Sequence, residues 1–377
     1  MFDPVRYLAT RRPLAEAETL PGHCYTSDLF FQRERQQIFA GAWHFVGRED
    51  EIPNPGDFLV VDTVVGSALV CRDPRGALAA FANACRHRGT RLKDRSGNCR
   101  TIVCPYHGWV YETDGNLRAA PAMEAVSNFD IRAFGLKRFR LESFGGFLFI
   151  NHNEDAQSLA SWLGDMPETF SGHRLNELRC VKRFDFEVRA NWKFLIGNAL
   201  EAYHTGTVHK TTLGHQESEA VASTGNWDAL FVSGAEDKSI STLPGELQPF
   251  PFIGGLAGKA NSGTWFSVIY PCTQIVFSQD CVWWLDFKPV SVSYTKLTVG
   301  ACFPADIIAL DDFDERVAPY YHRWLTATPE DNAIAEAQQR GHNAGLNLAG
   351  RYSLSEHCVH ALDNWVLDHV LDSSSSH

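Results

Sequence analysis

The pattern Cys85-Arg-His87-Arg-Gly89, followed by Cys104-Pro-Tyr-His107-Gly-Trp109, constrains this chain more than any other feature. It reads C-x-H, sixteen residues, C-x-x-H. Each half offers one thiolate and one imidazole. Gly89, Pro105 and Gly108 permit the tight turns that such loops need. Zinc also accepts two Cys and two His, but its sites usually pair like with like, two Cys and then two His. One thiolate and one imidazole on each of two loops suits a two-iron cluster better. The cysteines then hold one iron and the histidines the other, so each loop bridges both metals. Replacing two thiolates by neutral imidazoles removes negative charge and raises the reduction potential.

A second stretch, Asn198-Ala-Leu-Glu201-Ala-Tyr-His204-Thr-Gly-Thr-Val-His209, gathers two histidines and a carboxylate. On a helix Glu201 and His204 share a face. His204 and His209 are five apart, so they meet at one metal only if the helix winds irregularly there. Thr205-Gly206-Thr207-Val208 suits such a break. Taken alone, a histidine pair near a helix end is structural more often than functional.

The chain of 377 residues is long enough for two domains. Residues 1–42 read as a Pro-broken arm ending in a helix capped at Ser27-Asp28. Residues 43–155 read as a small all-β domain. Asp57–Asp62, Ser67–Cys71 and Leu78–Phe81 are short strands between Pro and Gly turns, and Gly145–Ile150 is the last. In residues 156–377, Phe184–Arg189 alternates as a strand with one wet face. Asn191-Trp-Lys193 opens the helix carrying Glu201, and further strands span Trp265–Tyr270, Gln274–Phe277, Val282–Phe287 and Tyr294–Phe303. Helices over Asp311–Leu325, Pro329–Asn343 and Glu356–Val370 close the chain, and Ser373–His377 is a polar tail. The fold class is therefore α+β with an antiparallel sheet.

The net charge of −11 argues against nucleic acid or an anionic membrane as partner. No apolar run is long enough to span a bilayer, and the N-terminus lacks a secretory h-region, which favours the cytoplasm. Cys24, Cys71, Cys99, Cys180, Cys272 and Cys281 have no metal-type neighbour and read as small buried apolar residues. The Gly-rich run 253–263 fails the P-loop pattern, since Gly258-Lys259 is followed by Ala260.

These motifs, in this order along nearly the whole chain, resemble the oxygenase component (α-subunit) of the Rieske non-heme iron oxygenases. The resemblance implies a Rieske domain over 43–155 and a helix-grip catalytic domain over 156–377, with the 1–42 arm packing on the latter. It implies a Rieske [2Fe–2S] cluster on Cys85, His87, Cys104 and His107. It implies a mononuclear Fe(II) on His204, His209 and Asp331, with O2 as co-substrate. A bland reading competes for Asp331: Thr328 as N-cap, Pro329 at N1 and Asp331 closing a capping box. Glu330 and Asp314 are the alternative acids. Glu201 is the family's coupling acid, accepting from an iron-ligating His of one subunit and a cluster-ligating His of the next. Asn198 and Tyr203 line or support the site, although Tyr203 reads equally as core. A Glu at position 201, where many ring-hydroxylating members carry Asp, resembles the members acting on carnitine, choline and betaines.

With no dinucleotide fingerprint and no plant-type ferredoxin spacing, the chain needs a separate NAD(P)H-dependent reductase of flavin or ferredoxin type. The family implies a homotrimer. Trp227, Phe231, Trp265, Phe266, Tyr270, Trp283, Trp284 and Phe287 offer faces for a methylammonium cation, yet also suit sheet core. Two chemistries follow: oxidation of a quaternary ammonium or betaine-like substrate, or hydroxylation, dihydroxylation or O-demethylation of an aromatic acid. A non-catalytic Rieske electron carrier is a third reading, but it has no use for His204, His209 and Asp331.

Overall fold

A computed structural model describes residues 1–234, 238–345 and 348–371. The polar tail expected at 373–377 lies outside them. The chain divides into two compact units, residues 40–159 and residues 1–39 with 160–377. Helix and antiparallel sheet both contribute, as the α+β reading expects.

In the 40–159 unit, strands β1 (His44–Arg48), β2 (Asp57–Asp62), β3 (Ser67–Arg72), β4 (Leu78–Ala82), β5 (Gly97–Asn98), β9 (Arg138–Phe144) and β10 (Phe147–Asn151) form one antiparallel sheet. Their order is β1-β10-β9-β4-β3-β2-β5. A separate three-stranded sheet holds β6 (Thr101–Val103), β7 (Val110–Glu112) and β8 (Leu117–Ala119). Strand β2 shows why its sequence is apolar between its two terminal aspartates. Successive side chains point to opposite faces. Phe58 and Val60 join one hydrophobic cluster, with Leu69, Phe81, Cys85, Cys104 and Trp109. Leu59 and Val61 join the other, with Val46, Phe139 and Ile150.

In the larger unit, β11 (Leu178–Val188), β12 (Ser218–Val221), β13 (Trp227–Ser233), β14 (Gly263–Ile269), β15 (Thr273–Phe277), β16 (Val282–Ser291) and β17 (Tyr294–Pro304) form a second antiparallel sheet. Its order is β11-β17-β16-β15-β14-β13-β12. Phe184, Phe186 and Val188 turn inward while Asp185 and Glu187 are exposed, the expected alternation, on a strand that begins earlier, at Leu178. Gly300 pairs with Trp284 across β16 and β17, and a Cβ there would lie 2.0 Å from the indole. Only glycine lets that ring lie across its partner strand.

The helical reading of the C-terminal third needs correction. Instead of separate helices ending at Leu325 and starting at Pro329, one helix runs from Ala318 to Asn343 straight through Pro329. Thr328 is therefore no N-cap, and Asp331 closes no capping box. An interior proline costs roughly 3 kcal/mol of helix stability. Here packing outweighs that cost, because Tyr320, Arg323, Trp324, Ala327, Thr328, Ala335 and Gln339 form a buried stripe on the same helix. Two of the cysteines expected to be buried, Cys99 and Cys180, are only half-buried.

Candidate metal centres

The cysteine–histidine loops share one backbone design. The Cys85 N–H donates to the Thr90 carbonyl, and Gly89 N–H donates back to the Cys85 carbonyl, both at 2.8 Å. In the second loop Cys104 N–H donates to Trp109 O at 2.8 Å, and Gly108 N–H to Cys104 O at 3.1 Å. Gly89 and Gly108 hold matching left-handed φ of +74° and +70°, where a side chain would be strained. Both thiols are buried in the cluster around Trp109, while both imidazoles are exposed. His87 Nδ1 and His107 Nδ1 face one another at 3.2 Å. His87 stacks on Trp109 at 5.0 Å and 11°. Tyr111 OH lies 3.2 Å from Cys85 Sγ and accepts the Arg86 N–H at 3.0 Å. Two inward sulfurs and two converging outward nitrogens fit a two-iron cluster with its thiolate iron shielded and its imidazole iron near solvent.

The second centre forms where the helix Trp192–Ala199 ends. Its C-cap is Leu200, so Glu201 does not lie on the helix face expected from its spacing. A new single turn, Thr205–Val208, follows, with His204 before it and His209 after it. The expected break is thus real, and its position puts the two imidazoles 5.3 Å apart between ring centroids. Asp331 arrives from the long helix. Its Oδ1 lies 3.0 Å from His209 Nε2 and 3.4 Å from His204 Nε2. One ligand atom from each residue falls within 4.8 Å of the other two.

The outer nitrogens of both rings are held by carboxylates. Glu201 Oε1 lies 2.7 Å from His204 Nδ1, and its Oε2 accepts the His204 backbone N–H at 2.9 Å. Glu330 Oε2 lies 2.6 Å from His209 Nδ1 and accepts from Thr212 Oγ1 at 2.8 Å. Such partners fix the Nδ1–H tautomer and leave Nε2 free for a metal. Asp331 Oδ1 is out of solvent, and among the described residues no hydrogen bond satisfies it. Burial disfavours charge on His204, but the carboxylates of Asp331 and Glu201 outweigh this and raise its pKa to about 9. The same opposition raises His209, where Asp331 and Glu330 outweigh burial. Burial alone would raise Asp331, yet the two histidines hold it below the usual carboxylate range. Two imidazoles and an orphaned carboxylate oxygen, arranged to concentrate positive charge, fit a divalent iron with an open face.

That open face looks onto a cavity of about 100 Å³, several times what one water needs. Asn198, Glu201, His204, His209 and Asp331 all line it. Of the aromatic residues singled out by sequence, Phe266, Trp283 and Phe287 line it, joined by Trp324. Trp227, Phe231, Trp265 and Trp284 are buried elsewhere in the sheet, and Tyr270 is buried in the turn after β14. Tyr203 is 67% exposed, which excludes the core reading. Asp314 lies on a different surface, beside Tyr321. Glu330 enters as a histidine partner rather than as a substitute ligand. Its adjacency to Asp331 was the available signal: neighbours on a helix flank one ring from two sides.

Two family models match this chain: a Rieske [2Fe-2S] domain over residues 42–130, and a ring-hydroxylating alpha subunit (catalytic domain) over residues 175–372. The chain is 34% identical over 387 residues to the glycine betaine monooxygenase oxygenase subunit of Chromohalobacter salexigens, covering 94% of this chain and 86% of that one. It is 32% identical over 268 residues to the carnitine monooxygenase oxygenase subunit of Escherichia coli K12, covering 69% of this chain and 67% of that one. A solved structure of a quaternary ammonium Rieske monooxygenase superposes with a TM-score of 0.80 at 25% identity, covering 94% of this chain and 95% of the other.

Proposed function

Since the chain belongs to the ring-hydroxylating alpha-subunit family of Rieske non-heme iron oxygenases, we propose that it is a terminal oxygenase acting on a small quaternary ammonium, betaine-like compound. The observation that carries this reading is the His204–His209–Asp331 cluster opening onto a small cavity walled by Phe266, Trp283, Phe287 and Trp324. Aromatic faces attract a methylammonium cation. The relatives matched over most of this chain are named for glycine betaine and carnitine.

We assign Cys85, His87, Cys104 and His107 to the [2Fe–2S] cluster, and His204, His209 and Asp331 to the mononuclear iron. When bound, these groups supply single electrons and a site for O2 beside the substrate. The chain's own residues do the rest. Glu201 and Glu330 hold the imidazoles in one tautomer and orientation. The aromatic wall orients the substrate and excludes water, and Asn198 borders the space where the substrate sits. Hydroxylation of a carbon on nitrogen, with two electrons, two protons and one O2, places one oxygen on that carbon and one in water. The hydroxylated carbon then leaves as a carbonyl fragment.

A separate reductase delivers the electrons; we take it to be NAD(P)H-dependent and of flavin or ferredoxin type. We take the assembly to be a homotrimer in which Glu201 of one subunit faces an exposed cluster histidine of the next. Among the described residues no helix is long and apolar enough to cross a membrane, and we assign the protein to the cytoplasm.

Three measurements test the reading. Purified protein should hold about three irons per chain, two in the cluster and one alone; about two would fit an electron carrier instead. Oxygen uptake with a surrogate reductase should couple to product for betaines, and uptake without product across all of them would remove the substrate proposal. Glu201→Gln should keep both metal sites loaded yet slow product formation in a single turnover by about 10–100-fold, the usual cost of losing an outer-sphere carboxylate. Unchanged single-turnover kinetics in that variant would remove the coupling role.

A further inference from the structure

Within the substrate cavity one side chain is held against electrostatic expectation. Arg323 lies on the long helix, lines the cavity and is only 4% exposed. Its Nε has no acceptor, and no hydrogen bond or ion pair to the guanidinium exists among the described residues. It stacks over Trp283 at 5.1 Å, so one face of that ring is already taken by a cation. Buried Asp280 does not neutralise it. Ser239 and Tyr320 donate to Asp280 Oδ2 at 2.8 and 2.6 Å, and Ser241 to Oδ1 at 2.8 Å. Burial pulls the Arg323 pKa down to about 10, against the weaker opposing pull of Cys281, Asp331 and Asp280. The group still stays protonated near neutrality. A buried guanidinium with no hydrogen-bonded or ion-paired acceptor among the described residues is expensive, and such groups are normally paired.

The cavity is also polarised from end to end. At the iron end stand Asp331 Oδ1, the oxygen assigned to the metal, and the acceptor Asn332 Oδ1, both buried and without a hydrogen bond among the described residues. Eight residues back along the same helix, about 12 Å by helical rise, stand donors. Besides Arg323, the buried Trp324 Nε1 lacks an acceptor and borders the cavity. We propose that Arg323 binds a carboxylate of the substrate, so that the enzyme takes zwitterionic N-methylated amino acids and rejects uncharged-tail analogues such as choline. The inference rests on the oxygenase reading above and narrows its substrate class. A carboxylate on Arg323 directs the cationic N-methyl end toward the opposite, metal-binding end of the cavity, where oxidation of a carbon on nitrogen must occur. An Arg fork suits this role because it is planar, bidentate and always charged.

The test is calorimetric binding to the iron-loaded protein, using glycine betaine, choline and benzoate, for wild type and Arg323→Gln. Wild type should prefer glycine betaine to choline, and Arg323→Gln should shrink that preference on the order of 30-fold or more, the loss typical of an unpaired buried charge partner. Iron content and the cluster's visible spectrum should not change, which separates lost recognition from lost folding. If Arg323→Gln does not fold, Arg323→Lys, which keeps the charge but not the fork, should bind betaine more weakly than wild type. Equal binding of choline and glycine betaine by wild type overturns the proposal, as does an unchanged preference in Arg323→Gln. Binding of benzoate but no quaternary ammonium compound, with benzoate lost in Arg323→Gln, would support Arg323 as a carboxylate site while removing the quaternary ammonium reading.

Discussion

Asp331→Ala is expected to lower iron from about three to about two per chain, leave the cluster's visible spectrum intact, and abolish product formation. The geometry sets the size of the effect. Asp331 Oδ1 is the one carboxylate oxygen facing both His209 Nε2 and His204 Nε2, at 3.0 and 3.4 Å. Among the described residues no hydrogen bond keeps it there. Alanine leaves two imidazoles, too few to hold a ferrous ion on one face. Removing even an outer partner of a ligand typically costs 10–100-fold, so losing a ligand should cost more than about 100-fold in turnover. Glu330 does not step in, because its Oε2 is bound to His209 Nδ1 and Thr212 Oγ1. Iron analysis with single-turnover product measurement decides the matter. A variant that still holds three irons and turns over would show that another acid completes the site. Asp314→Asn, on a separate surface, should match wild type in both.

What the sequence could and could not reveal follows from where polar groups are buried. The two Cys–His loops were readable because ligand spacing is local: the glycines that close each loop are neighbours of the ligands. The strands named from sequence were readable chiefly as apolar runs bounded by turn residues, and Phe184–Val188 by the period-two alternation that survives where one face is wet. The long helix hid its true extent. Its buried stripe includes Arg323, Thr328 and Gln339, and Asp331 turns inward as well, so hydropathy shows no helical period. Thr328-Pro329 then imitated a helix start that tertiary packing overrode. Glu201 was expected on a helix face, yet the helix stops at Ala199, and the carboxylate reaches His204 through a loop. Arg323 gave no signal at all, since a lone arginine in a helix reads as a solvated face until the cavity beside it is known.

The same blind spot covers Glu34, whose substitution partner gives the largest stability effect. Glu34 falls in the N-terminal helix Asp28–Glu34, capped as expected by Ser27, and by sequence alone it would be placed on the surface. Instead both Glu34 and Lys193 are fully buried, with Lys193 Nζ 2.5 Å from Glu34 Oε1. Trp192 Nε1 donates to Glu34 Oε2 at 3.1 Å, and the ammonium lies over the rings of Tyr25, Phe30 and Trp192 at 5.1–5.4 Å. Lys193 sits in the helix that leads directly into Glu201 and the metal-binding turn. Lys193→Met should therefore cost about 3–5 kcal/mol in chemical denaturation, because it strands a buried carboxylate rather than merely deleting a contact. Glu34→Met combined with Lys193→Met should recover most of that loss, since an apolar pair of similar volume carries no desolvation penalty. The pH dependence has a definite sign. Burial raises the Glu34 pKa above its ordinary 4.5, and Lys193 is the chief opposing influence. Without Lys193 the folded-state pKa rises further. Its stabilising protonation is complete below the unfolded value and is lost as pH climbs through the folded one. The deficit of Lys193→Met should accordingly shrink on acidification and widen toward neutral pH, while the double variant shows no such trend. A single variant as stable as wild type at neutral pH would mean that Glu34 finds water or another partner, and that the pair contributes no more than a surface bridge.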